Sequence, residues 1–105
     1  LGINRESLKT AAIDAVTTGR PVVAESSPFA GDAQVTANGS REDITIASSH
    51  VYTVAAADEN GVTLINPWGH NDRSGNSGSR TGATFTMSWD EFYANFGDVT
   101  VGQIP

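Results

Sequence analysis

Alternating hydrophobic and polar residues in the middle of the chain predict a β-hairpin. Its two arms, residues 48–54 and 62–69, are rich in the β-branched and aromatic side chains that suit a half-buried, pleated surface. Between the arms, Asn60 and Gly61 form a pair able to take positive φ, as tight hairpin turns require. The pattern therefore predicts two antiparallel strands joined by a turn near Glu59.

The residues before this hairpin predict a helix, a short strand and a loop. Apolar residues at helical spacing indicate an amphipathic helix over residues 5–18, with Gly19 placed to end it as a left-handed cap. A short buried strand is expected at residues 21–24. Residues 25–43 are rich in Ser, Gly, Asp and Asn and predict a loop, with a weak hairpin near residues 34–37.

Further strands and a loop are expected on both sides of the two arms. Residues 44–47 predict a strand that runs directly into the first arm. Residues 69–82 are too polar and glycine-rich to pack, and they predict a loop. Residues 85–87 and 99–101 predict two short strands near the end of the chain.

A second helix is predicted to start at Ser88. Ser88 and Glu91 fit the capping box, in which each side chain satisfies a backbone N–H group of the other residue. Gly97 is expected to end the helix. Large aromatic residues at helical spacing predict a buried stripe, and a core role for them is favoured over a ligand site: Trp89, Phe92, Tyr93 and Phe96.

Composition limits the classes of fold and partner. The 105 residues allow one domain, residues 1–105, and the predicted elements make it an α+β domain with an antiparallel sheet. The formal charge is −6 and the six basic residues are scattered, which argues against a nucleic-acid partner. No apolar run approaches the roughly 18 residues of a membrane span, and no segment reads as a signal peptide.

His50 and Asn66 form the candidate functional pair of the predicted hairpin. Pairing about the turn places Asn66 opposite residues 51–52 and within side-chain reach of His50. A neutral imidazole acting as general base needs a fixed tautomer, and an amide oxygen that accepts its ring N–H provides one without adding charge. A lone histidine in a strand is more often structural, and an asparagine before Pro67 is ordinary at a strand end, so packing roles stay open.

Other polar residues near this pair are weaker candidates. His70 and Asp72 are too few to make a metal site, and solvation at the surface is the better interpretation. Ser48 and Ser49 adjoin His50, but neighbouring strand residues point to opposite faces and nothing resembles a nucleophile elbow. Neither set is predicted to carry chemistry.

Three blocks of the chain carry a resemblance to a known family. They are HVYTV at residues 50–54, LINPWG at residues 64–69 and FTMSWDEF at residues 85–92, followed by a closing strand. In this order they resemble the second, His- and Asn-bearing lobe of calpain-like cysteine proteases, which belong to the papain-like clan. The resemblance covers roughly residues 5–101, apart from the segment at 26–43.

That resemblance implies a fold and three functional residues. The fold is an antiparallel sheet (a partial barrel) with an N-terminal helix and a C-terminal capping helix. His50 is then the general acid/base, Asn66 its orienter, and Trp68 the side chain that covers their hydrogen bond from water. The implied substrate is a peptide or protein. The implied location is intracellular, with export left open.

The resemblance also raises the question of calcium, because the matching loop of calpains binds it. Calcium takes about six to eight oxygen ligands, several of them charged. Residues 69–84 offer one carboxylate, Asp72, beside the cations Arg73 and Arg80. No metal and no other cofactor is therefore predicted.

The chain has no cysteine, which is the nucleophile of such proteases. The cysteine is expected on another segment or chain, as the partner lobe, if this chain is a processed product or a fragment of an enzyme. The alternative is a non-catalytic binding or regulatory module that keeps the fold of the lobe. A half-enzyme is expected to expose an apolar patch near His50, whereas an independent module is expected to present a polar surface.

Overall fold

A computed structural model of the chain describes residues 5–37, 39–70 and 82–102, with side chains described at all of these except residues 68–70 and 82. These residues form two helices and seven strands, and the predicted α+β class with an antiparallel sheet is confirmed. In chain order the elements are α1 (Arg5–Thr17), β1 (Val22–Ser26), β2 (Asp32–Ala37), β3 (Ser40–Thr45), β4 (Val51–Asp58), β5 (Gly61–His70), β6 (Gly82–Met87), α2 (Trp89–Asn95) and β7 (Phe96–Val101).

The strands form one open sheet in the order β3-β2-β6-β5-β4-β1-β7, and all neighbours are antiparallel. Among the described strands, β3 and β7 are therefore the two edges. The predicted hairpin is β4 and β5, and it lies in the interior of the sheet, between β6 and β1. The elements that carry His50 and Asn66 are thus held by strands on both sides.

One face of the sheet carries the core, because alternate residues of a strand point to the same side. Burial alternates strictly along β2, and it alternates along β4 from Val51 to Val54. Burying a large side chain such as Leu64 or Phe85 contributes about 1.5–3 kcal/mol. The largest buried core residues are Tyr52, Phe85, Phe92, Ile46, Leu64, Met87, Val22 and Val62, and Trp89 and Phe96 of the predicted aromatic stripe join them.

α1 ends at the glycine that the sequence indicates. Gly19 has a φ of +80°, the left-handed conformation that glycine adopts without strain. Its N–H donates to the carbonyl of Val16 at 3.1 Å, and the Arg20 N–H donates to the carbonyl of Ala15 at 2.9 Å. These are the paired bonds of a Schellman motif, which turns the chain toward β1.

Residues 25–43, predicted as a loop, contain most of a hairpin instead. β2 and β3 pair over six residues each and turn at Gly39, where φ is +82°. The prediction was wrong because two of the three inward residues of β2 are small. Ala33, Val35 and Ala37 are all buried, but alanines give a weak hydrophobic signal in the sequence. The weak hairpin expected near residues 34–37 is therefore a complete one.

The turn of the central hairpin is built by Asp58 and not by a positive-φ pair. Asp58 Oδ1 accepts hydrogen bonds from the backbone N–H groups of Asn60 at 2.8 Å and Gly61 at 3.1 Å. Neither Asn60 nor Gly61 has a positive φ, so the predicted turn is in the right place but of a different type. Gly61 is required for space, because a Cβ atom there would lie 2.6 Å from the carbonyl oxygen of Met87 on β6.

α2 begins at its predicted cap. The Ser88 hydroxyl accepts from the Glu91 backbone N–H at 3.2 Å. The Glu91 carboxylate reaches across to β2 and accepts from the Gln34 backbone N–H at 2.8 Å. This bond ties the helix to the outer part of the sheet.

The end of α2 differs from the prediction. The helix stops at Asn95, two residues before the expected Gly97, and Phe96 already begins β7. The Phe96 ring stacks on that of Phe92, with centroids 4.7 Å apart and an interplanar angle of 7°. Phe96 itself has extended backbone and pairs with Ser26 of β1, so strand pairing ends the helix and Gly97 lies inside the strand.

Candidate functional site

His50 and Asn66 meet at one end of the β4–β5 hairpin. Ile65 pairs with Thr53, and this register sets Asn66 beside Tyr52. His50 is the residue before β4, so its side chain lies one position further along. The His50 Nε2 atom and the Asn66 Oδ1 atom are 2.9 Å apart, a normal hydrogen-bond distance. The structure therefore brings together the two residues that the hairpin pattern placed within reach.

This hydrogen bond selects one tautomer of the histidine. An amide oxygen can only accept, so Nε2 carries the hydrogen, and the lone pair of the neutral ring is on Nδ1. Asn66 is 2% exposed, which leaves water little room to compete for the bond. His50 itself is half-buried. Asn66 thus fixes the ring through its Nε2 atom and adds no charge of its own.

Tyr52 forms the wall against which the histidine ring packs. The two ring centroids are 5.0 Å apart at an interplanar angle of 84°, an edge-to-face contact. The Tyr52 hydroxyl accepts a hydrogen bond from the Ala47 backbone N–H at 3.1 Å. Burial raises the pKa of Tyr52, and the Ala47 N–H opposes this in part. Tyr52 is therefore a neutral, fixed support at physiological pH.

The chain enters the site through a turn, and the continuous strand predicted from residue 44 is wrong. β3 ends at Thr45, the chain turns at Ser48 and Ser49, and β4 begins at Val51. Ser49 has a φ of 47°, the left-handed region that is uncommon for a residue other than glycine. The Ser49 N–H donates to the Ser27 carbonyl at 3.3 Å, so the backbone here bonds to the segment after β1.

Ser26 is a residue of the site that the sequence analysis missed. It is 3% exposed, and its hydroxyl oxygen accepts from the His50 backbone N–H at 2.8 Å. Its own backbone N–H donates to the His50 carbonyl at 2.9 Å. A sequence signal exists, since Val22, Ala24 and Ser26 alternate on the buried face of β1. The predicted strand stopped at residue 24, which left this buried polar position unnoticed.

Several predicted residues lie partly or wholly outside the described part of the chain. The side chains of Trp68 and His70 are not among those described, although both residues belong to β5. His70 pairs with Gly82, so the strands extend into the segment predicted as a loop. Residues 71–81, which include the calcium-loop residues named above, lie outside the described residues. In the ranges that are described, no group of three or more His, Cys, Asp or Glu side chains could hold a metal ion.

The comparisons with known proteins add no family. No protein-family model matches the chain, and no curated protein and no solved structure matches it. Over the described residues, no helix has the length and apolar character needed to cross a membrane.

Proposed function

We propose that this chain is the His- and Asn-bearing lobe of a calpain-like cysteine endopeptidase, whose nucleophilic cysteine is supplied by another segment or chain. The observation that carries the proposal is the 2.9 Å contact between His50 Nε2 and Asn66 Oδ1. A base with an uncharged orienter is the arrangement that thiol activation uses. The burial of Asn66 and the packing of the His50 ring on Tyr52 support the same role.

The chemistry follows from the tautomer. His50 Nδ1 takes the proton of the cysteine thiol, and the resulting imidazolium keeps its Nε2–H bond to Asn66. The thiolate adds to the peptide carbonyl carbon, and the imidazolium then protonates the leaving amine as the C–N bond breaks. Water, deprotonated by His50, hydrolyses the acyl-enzyme and restores the thiol.

An uncharged orienter suits this cycle. The ring alternates between neutral and positive states, and the Asn66 oxygen accepts from Nε2–H in both. A carboxylate at this 2% exposed position would need a permanent counter-charge, because isolated buried charges are costly. Asn66 therefore holds the ring in place without fixing its charge.

The test is a labelling experiment on the chain together with its partner. Polypeptides that copurify with the chain from its native source are identified by intact mass, and the reassembled pair is treated with a thiol-reactive peptide probe. We expect one cysteine of the partner to be labelled, and His50→Ala to slow the labelling about 100- to 10,000-fold, the usual contribution of a general base.

His70→Ala is the matched control, since His70 is the second of the two histidines of the chain. Its labelling rate should equal that of the wild type. Labelling that is equally fast without His50 would overturn the proposal. So would a chain that is encoded alone and is stable as a monomer with no thiol-bearing partner, which would leave a binding module.

A further inference from the structure

We infer that Ser26 is a positioning residue, which sets the orientation of the His50 ring by holding the His50 backbone. This role rests on the proposed function, because orientation of the ring matters only if His50 acts as a base. Ser26 and His50 are 24 positions apart in the sequence and meet only through the fold. The Ser26 hydrogen bonds to His50 described below all go to backbone atoms, so Ser26 acts on the ring through the backbone.

Ser26 binds the backbone of His50 on both sides. The hydroxyl oxygen accepts from the His50 N–H at 2.8 Å, and the Ser26 N–H donates to the His50 carbonyl oxygen at 2.9 Å. The hydroxyl also lies 3.1 Å from that carbonyl oxygen. One side chain and one amide group thus fix the peptide groups before and after the His50 Cα atom.

The same hydroxyl closes the turn that precedes the histidine. It donates to the carbonyl oxygen of Ala47, so Ser26 links Ala47, at the start of the turn, to His50, at its end. Between these ends, Ser49 adopts its positive φ. A left-handed residue other than glycine persists where the surrounding bonds over-determine it, and Ser26 supplies two of those bonds.

The hydrogen bond between His50 and Asn66 tolerates only a small displacement of the His50 ring. The His50 Nε2 to Asn66 Oδ1 distance is 2.9 Å, and a displacement of about 0.6 Å carries it to the outer limit of a hydrogen bond. Ser26 continues the buried face of β1 after Val22 and Ala24, and this alternation directs its hydroxyl toward the turn. The register shift beside it belongs to β7, where Gly97 is the extra residue between the partners of Glu25 and Ser26.

The test measures the ring state directly, by nitrogen NMR of the ¹⁵N-labelled chain at a pH where the ring is neutral. His70→Asn is used as the background so that only His50 contributes. In that background we expect a single Nε2–H tautomer. Ser26→Ala removes the hydroxyl bonds to the His50 N–H and the Ala47 carbonyl, and it should lower the ratio of the Nε2–H to the Nδ1–H tautomer about tenfold.

Ser27→Ala is the matched control, because the Ser27 hydroxyl accepts from the Phe29 N–H in a neighbouring exposed turn. It should leave the ring signals unchanged. A folded Ser26→Ala chain with the wild-type tautomer ratio would overturn the inference. If Ser26→Ala does not fold, Ser26→Thr decides: it keeps the hydroxyl, so a wild-type ratio supports the role and a mixture of tautomers overturns it.

This readout needs no nucleophile and separates the two proposals. A changed tautomer ratio in Ser26→Ala together with His50-independent labelling would reject the protease and keep the positioning role. A wild-type ratio together with His50-dependent labelling would support the protease and reject the positioning role.

Discussion

Asn66 has two roles that single substitutions can separate. It accepts a hydrogen bond from His50, and its side chain fills a buried position. Its side chain is 2% exposed and contacts Nε2 of His50 at 2.9 Å. Only the first role needs the amide oxygen. Substitutions of Asn66 therefore test the site at the scale of a single residue.

Asn66→Ala should release the ring and weaken the fold. Without the acceptor, both neutral tautomers of His50 become populated, and the half-buried Nε2–H loses its partner. We expect the free energy of unfolding to fall by about 1–3 kcal/mol, the cost of an unsatisfied buried group. Urea denaturation measures the stability, and ring nitrogen NMR measures the tautomers. Asn60→Ala, in the exposed turn, is the control and should change stability by under about 0.5 kcal/mol. An equal loss of stability in both variants would contradict the role of Asn66.

Tyr52→Phe should change how stability depends on alkaline pH. Burial raises the pKa of Tyr52 above that of the unfolded chain, so the folded state keeps this proton more tightly. The stability linked to this group is complete below the unfolded pKa of about 10 and is lost as the pH rises through the higher folded value.

Urea unfolding between pH 8 and 11 tests this expectation. The wild type should lose stability more steeply than Tyr52→Phe above about pH 10, by at most about 1.4 kcal/mol per pH unit for one proton. At neutral pH the variant should be less stable by about 1–3 kcal/mol, because the Ala47 N–H loses its acceptor. Parallel curves for the two proteins would show that Tyr52 is not the group responsible.

At the scale of the elements, the packing of β6 against the β4–β5 turn depends on a missing side chain. Gly61→Ala would place a Cβ atom 2.6 Å from the Met87 carbonyl oxygen, so β6 or the turn must move. We expect a loss of about 1–3 kcal/mol, typical of overpacking. Gly97→Ala is the control, since nothing lies within 4 Å of the added atom and the φ is not positive. Similar thermal unfolding of the two variants would rule out the predicted clash.

The sequence predicts those elements whose signals are local. α1, the β4–β5 hairpin and α2 each carry their cap, alternation or turn residues within about a dozen positions. The contact between His50 and Asn66 was predictable for the same reason, because one hairpin register determines it.

The missed features depend on contacts between distant segments. β2 buries two alanines, and their weak sequence signal is overcome by the pairing of β2 with β3 and with β6. The helix α2 ends early because Phe96 takes extended backbone and pairs with Ser26 of β1. Ser26 acts on a residue 24 positions away, so no local pattern reveals its partner.

At the scale of the whole molecule, the site depends on strands from early, middle and late parts of the described chain. β4 pairs with β1, and β1 pairs with β7 on its other side. Gly102, just after β7, donates to the carbonyl oxygen of Pro21, just before β1, at 2.7 Å. The strand that carries Ser26 is therefore held between a central strand and the last described strand.

Only one of the two edges of the described sheet is strongly charged. The edge strand β3 carries Arg41, Glu42 and Asp43 in succession, which disfavours pairing with another chain. β7, at the other edge, carries Asp98 among apolar and small residues. A partner that adds to the sheet would meet fewer charges at β7.

The position of β7 in the chain also determines the order in which the strands of the sheet can pair. Val22 pairs with Val101, 79 positions later, whereas β4, β5 and β6 pair with near neighbours. During synthesis at about 5–20 residues per second, the central strands can form while β1 waits several seconds for its second neighbour. Closing so long a segment is a slow, entropically costly step. A nascent chain that lacks β7 would therefore carry a nearly complete sheet in which β1 is an unpaired edge strand. Such an edge promotes aggregation.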